Sequence, residues 1–123
     1  MPKAYRVYLD DILESIEKIE KYTKDISYKE FIQNTLLIDG VTRNLGIIGE
    51  AVKNLPLELR KKYPIVEWKK IAGLRDIIIH EYSGINLEII WDIVVNKISE
   101  LKTSAKKIIE DIEKENDNNK KRK

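Results

Sequence analysis

Leu74-Arg75-Asp76-Ile77-Ile78-Ile79-His80-Glu81-Tyr82-Ser83-Gly84 is the stretch on which the fold class turns. Taken alone, Ile77-Ile78-Ile79 suits a buried strand, because β-branched runs favour sheets. No other run in the sequence offers itself as a partner strand, so the stretch reads as helix. Gly84 is a natural stop for that helix, which puts His80 and Tyr82 in or just past its last turn. The same stretch holds the one histidine of the chain. Chemistry is expected here, and the rest reads as helical scaffold.

Working outward, the helix that ends at Gly84 starts near Val66 and carries Trp68, Ile71, Ala72, Leu74 and Ile78 at helical steps. Pro56 and Pro64 bracket a short linking helix before it. Further back, Phe31, Ile32, Leu36, Leu37, Val41, Leu45, Ile48, Ala51, Val52 and Leu55 mark one side of a helix over residues 28–54. Ser27 and Glu30 form a capping box at its start. Gly46 and Gly49 within it are read as a place where another backbone approaches closely. Over residues 4–25, Tyr5, Tyr8, Leu9, Ile12, Leu13, Ile16 and Ile19 recur at steps of three and four, the mark of an amphipathic helix. After Gly84 a fourth helix is expected over residues 86–115. It is apolar almost all the way round at 89–95, and such surplus commonly becomes a subunit interface.

The expectation is an all-α protein: an antiparallel bundle of four main helices plus the short linking helix, one domain over residues 1–115. Residues 116–123 are polar and charged and are expected to be a disordered basic tail.

Composition narrows the chemistry. At 123 residues the chain is long enough to bury a core without staples. It has no cysteine, which excludes disulfides and thiolate catalysis. No apolar run approaches the roughly 20 residues that cross a bilayer, and the N-terminus lacks the apolar stretch of a signal peptide. The expected place is the cytoplasm, with no membrane partner. Net charge is +2, of which the last four residues supply +4, so residues 1–119 sum to −2. Any contact with nucleic acid must therefore come from a local patch or the tail.

Histidine both gives and takes protons near neutral pH, and arginine offers a planar fork of donors suited to phosphate. Five residues of α-helix turn through about 140° and rise about 7.5 Å, so Arg75 and His80 are not stacked, although a long arginine still reaches toward a shared cleft. Arg43, Asn44 and Glu50, among the glycines of the second helix, are candidates for the edge of that cleft, and Asp76 for its lining. With no second histidine and no acidic cluster at ligand spacing, neither a metal site nor another cofactor is expected. The same residues also suit a plain structural role: His80 as a hydrogen-bonded packing residue, Arg75 ion-paired with Asp76 or Glu81, and Tyr82 covering the core with its ring.

The order Arg75, four residues, His80, one residue, Tyr82 resembles the R-x-x-x-x-H-x-Y signature of the HEPN superfamily, in its HepT-like branch. Asn44-Leu45-Gly46-Ile47-Ile48-Gly49-Glu50-Ala51 resembles that branch's second-helix block. Trp68-Lys69-Lys70-Ile71-Ala72-Gly73-Leu74-Arg75 and Ile85-Asn86-Leu87-Glu88-Ile89-Ile90-Trp91 resemble the flanks of the motif. The likeness covers about residues 5–112. It implies a homodimer with both Arg-His motifs in one cleft at the subunit interface, acting as a metal-independent endoribonuclease. It also implies the toxin role in a toxin–antitoxin pair, with an MNT-type nucleotidyltransferase as partner. His80 would then move protons, Arg75 bind the phosphate and transition state, and Tyr82 accept AMP. Two readings from other classes compete: a non-catalytic module binding a nucleotide or partner peptide, and a structural dimerisation protein.

Overall fold

The computed structural model describes residues 4–74, 76 and 86–121, with side chains described for 5–74, 76 and 86–118. All regular structure among these residues is helical. The elements are α1 (Ala4–Thr23), α2 (Tyr28–Gln33), α3 (Thr35–Lys53), α4 (Leu57–Lys61), α5 (Trp68–Ala72), α6 (Leu87–Asp92), a π-helical segment (Ile93–Lys97) and α7 (Ile98–Lys121).

Three long helices share one packing rule. Leu9, Ile12, Ile16 and Ile19 of α1, Val41, Leu45, Ile48 and Val52 of α3, and Leu101, Ala105, Ile108 and Ile112 of α7 are all buried. Each set alternates steps of three and four, which keeps one narrow apolar stripe facing its neighbours along the whole helix. Full burial of each large side chain contributes roughly 1.5–3 kcal/mol before entropy is charged against it. Charged pairs fix the directions. Arg6 bonds Glu113 at 3.0 Å and Lys102 bonds Glu20 at 2.8 Å, so α1 and α7 run antiparallel. Tyr22, near the end of α1, lies 3.4 Å from where a Cβ on Gly40 of α3 would stand, so α1 and α3 are antiparallel too. Between them Asp25 takes a φ of 58°, a left-handed turn that aspartate tolerates, and α1 stops there.

Four expectations need correction. The helix over residues 28–54 breaks at Asn34, whose backbone is extended and whose side chain accepts a hydrogen bond from the Leu37 N–H. Asn34 is at once the C-cap of α2 and the N-cap of α3. The break changes the phase of the stripe, leaving Ile32 and Leu36 exposed, Leu36 at 83%. The capping box at Ser27 and Glu30 is present as expected.

At Gly46 an added Cβ would meet nothing within 4 Å, so the close approach expected there is absent among the described residues. The fourth helix carries a π segment at Ile93–Lys97, closed by a bond from the Ile98 N–H to the Ile93 carbonyl. Ile90, Val94 and Ile98 are all buried and four apart, a step that drifts about 40° per repeat around an α-helix. The wider π turn takes up that drift and keeps all three on the core side. Finally, the chain is helical through Lys121 rather than disordered from 116. Extending a helix that packing has already nucleated adds a hydrogen bond per residue without a new nucleation cost.

Candidate functional site

Arg75, His80 and Tyr82, and the isoleucine run read as helix, lie outside the described residues. The frame on either side of them is described. On the N-terminal side, the Trp68 indole N–H donates to the Tyr63 carbonyl at 2.9 Å, and Trp68 and Leu74 are buried with α5 packed on α3. On the C-terminal side, the Asn86 carboxamide accepts from the Glu88 and Ile89 N–H groups at 3.0 and 3.3 Å and starts α6. Ile90 is buried just beyond. The Trp91 ring lies 5.0 Å from that of Phe31 and 6.1 Å from that of Tyr28, which seats α6 against α2. Packed aromatic side chains thus stand in the described frame on either side of it in sequence.

The secondary candidates separate. Arg43 and Glu50 are exposed and seven residues apart on α3, which places them within about 20° of the same face. Asn44 is turned the other way. It is buried, and its amide donates to the Gly40 carbonyl one turn back at 2.8 Å. Asp76 is exposed. Among the described residues, no group of three or more His, Cys, Asp or Glu side chains could hold a metal ion. No helix among them is long and apolar enough to cross a membrane.

The segment leading into the motif is also pinned from the far side. The Tyr63 hydroxyl donates to the Asp111 carboxylate of α7 at 2.5 Å. Burial, and then this bond, push the Tyr63 hydroxyl well above the ordinary tyrosine range. The same bond, aided by Lys107, holds Asp111 below the usual carboxylate range. Nearby, Glu67 bridges Lys70 at 2.6 Å and Lys97 of the π segment at 3.3 Å, and Lys70 followed by Lys97 depresses its carboxyl. Neither contact was foreseen from sequence. Pairs separated by 48 and 30 residues leave no periodic trace in a single chain.

With the helical frame in hand, the chain can be set beside known proteins. The family model for HepT-like ribonucleases matches residues 12–108, and the chain belongs to that family. It is an all-α protein of the ribonuclease class, as the motif resemblance implies. A Methanocaldococcus jannaschii protein named as a candidate RNase, MJ0127, is 49% identical over 119 residues, covering 96% of this chain and 98% of that one. A second from the same organism is named as a gamma-glutamylcyclotransferase and candidate RNase, MJ0434. It is 48% identical over 98% of this chain, which spans only 54% of that relative's length. The "Probable ribonuclease HepT" of Thermococcus cleftensis is 36% identical over 88% of this chain and 98% of its own length. No solved structure matches the chain significantly.

Proposed function

We propose that this protein is a metal-independent endoribonuclease, the toxin of a HEPN/MNT-type toxin–antitoxin module acting in the cytoplasm. Membership of the HepT-like family carries the reading, because the matched residues 12–108 span the whole Arg75–Tyr82 motif. The ribonuclease names of the relatives support it.

Two chains form the working unit, each giving one Arg75 and one His80 to a composite cleft. One histidine cannot readily serve as base and acid in the same step, and two chains supply two. His80 takes the proton from an RNA 2′-hydroxyl as its oxygen attacks the adjacent phosphorus. The bond from phosphorus to the 5′-oxygen breaks, and the leaving oxygen receives a proton. Arg75 stabilises the charge that builds on the phosphoryl oxygens. Apolar surface for pairing is available: Leu36 on α3, Ile32 on α2, Ile89 on α6 and Val95 in the π segment are all exposed. Asp76 and the Arg43–Glu50 face of α3 border the cleft, with Asn44 supporting it from within the bundle. The partner nucleotidyltransferase silences the toxin by placing AMP on Tyr82, whose bulk and charge then keep RNA out.

The test is cleavage of single-stranded RNA in the presence of chelator by the protein and by His80→Ala. The expected result is cleavage by the first and a loss of about 10²- to 10⁴-fold in the second. Equal activity in both would remove His80 from the mechanism. Mass spectrometry of the protein co-expressed with a neighbouring nucleotidyltransferase checks the second half: the Tyr82 peptide should carry AMP, and an unmodified peptide would contradict the assignment.

A further inference from the structure

Charge is distributed unevenly along this chain. Residues 53–70 carry six basic side chains, Lys53, Arg60, Lys61, Lys62, Lys69 and Lys70, against two acidic ones, Glu58 and Glu67. That segment is net +4 and the last four residues are also +4, so in a chain of total +2 all the rest sums to −6. The segment from the end of α3 through the linker into α5 is therefore the most positive part of the body, and in sequence it leads directly into the motif.

Four of its five lysines are turned outward and uncommitted. Leu55, Leu59, Val66 and Trp68 turn inward and are buried, while Lys53, Lys61, Lys62 and Lys69 are exposed. None of these four has an ion pair among the described residues, which is also true of Lys21, Lys24, Lys29 and Lys106, whereas Lys18, Lys102, Lys107 and Lys114 are each paired with a carboxylate. What sets the four apart is that so few acidic side chains lie among them. Of the linker's two acids, Glu67 is already engaged by Lys70 and Lys97. The backbone that presents the lysines is fixed by the Tyr63–Asp111 and Trp68–Tyr63 hydrogen bonds, so it is ordered before any ligand arrives.

We infer that the outer side of residues 53–70 is an RNA-docking surface that neutralises backbone phosphates next to the cleavage motif. This rests on the nuclease reading for its substrate class and adds the site that holds that substrate. Lysine is a flexible point charge suited to phosphate and is depleted from protein–protein interfaces, which favours a nucleic-acid ligand over an acidic protein. Both neighbouring aromatic side chains have their polar groups bonded within the protein, Tyr63 to Asp111 and Trp68 to the Tyr63 carbonyl. The Trp68 ring is buried and the Tyr63 ring is half-buried, so what this side presents outward is chiefly cationic, and it tracks the strand without reading its bases.

The experiment measures binding of a single-stranded oligoribonucleotide as a function of salt, in a His80→Ala background that prevents turnover. One variant carries Lys53→Gln, Lys61→Gln, Lys62→Gln and Lys69→Gln. A control carries Lys18→Gln, Lys21→Gln, Lys24→Gln and Lys29→Gln, the same change in net charge on α1, α2 and the turn between them. The linker variant should bind about 100-fold more weakly at 0.1 M salt, with a log–log salt slope shallower by about 2 to 3. The control should bind like the parent, and both should keep the parent's melting temperature within a few degrees. Unchanged affinity in the linker variant, or equal loss in the two, overturns the docking surface. So does a loss confined to an acidic polyglutamate peptide. Weakened binding in the linker variant without cleavage by the His80-containing parent would keep the surface and remove the nuclease. Cleavage by that parent with unaltered binding would do the reverse.

Discussion

The seam between α1, α3 and α7 and the linker from α3 to α5 are built from the same residue types in opposite arrangements. In the seam, aliphatic side chains meet at steps of three and four, and several surface charges are matched across it or along one helix, as Arg6 is with Asp10 and Glu113. In the linker, a few large anchors (Leu59, Val66, Trp68) hold a short path while Lys53, Lys61, Lys62 and Lys69 outside stay unmatched. The first arrangement maximises burial and leaves little for a ligand to hold. The second buries less and leaves cations in the segment that precedes the motif in sequence. Unpaired charge on a well-anchored backbone is where function is to be sought in a bundle of this kind.

The contrast can be broken by perturbing each side. The largest effect on stability is expected in the seam. Leu45→Ala, at a fully buried position of α3, should cost about 2–5 kcal/mol in denaturant unfolding, because the cavity adds to the lost transfer energy. A cost under 1 kcal/mol would mean the seam is loosely packed.

Next comes the junction. Asn34→Ala removes the side-chain acceptor for the Leu37 N–H and should cost about 1 kcal/mol. It also tests whether α2 and α3 fuse. A gain in helix content would show that Asn34 itself imposes the break, whereas unchanged helix content with no loss of stability would assign it to Phe31 packing on Trp91.

The linker's anchor sharpens the comparison through pH. Tyr63→Phe should cost about 1 kcal/mol near neutrality, the low end for a bond to a carboxylate that is partly open to water. The Asp111 carboxyl is depressed in the folded state, so its share is present above the usual carboxylate pKa of about 4 and fades as pH falls through the lower folded value. The Tyr63 hydroxyl is raised, so its share is present below about pH 10 and is lost on titration above it. The difference in melting temperature between parent and variant should accordingly be flat between those limits and shrink outside them. A difference independent of pH down to 2 would exclude the hydrogen bond as its source.

The smallest effect belongs to the exposed pairs. Breaking Lys18–Glu14 with Lys18→Ala should move stability by less than about 0.5 kcal/mol, and less still in high salt.

Much of this architecture is legible in the residues themselves. The alternation of three and four at Leu9, Ile12, Ile16 and Ile19, and the Ser27–Glu30 box, state helix and start in local terms. Asn34 escapes notice because Ile32 and Leu36 on either side continue an apolar rhythm, although both point outward once the chain breaks. The π turn is hidden for a related reason. Steps of four at Ile90, Val94 and Ile98 fit an α-helix approximately, and only the packed structure reveals how the residual rotation is absorbed. Residues 116–121 look too polar to order, yet a helix already nucleated by Leu101, Ala105 and Ile108 carries them along. Arg75 and His80 draw notice by their chemistry, but the same residues suit a structural role equally, and only the resemblance to the HEPN signature singles them out as a site. The linker lysines do not show in the net charge of the whole body, because the acidic remainder cancels them.

The central claim is that RNA is cut through its own 2′-hydroxyl at the Arg75–His80 motif. The most direct measurement uses an oligoribonucleotide in which a single 2′-deoxynucleotide stands immediately 5′ of a mapped cleavage site, in the presence of chelator. The account predicts no cut at that phosphodiester, while neighbouring sites are cut and leave 2′,3′-cyclic phosphate ends. Undiminished cutting at the deoxy position would contradict it.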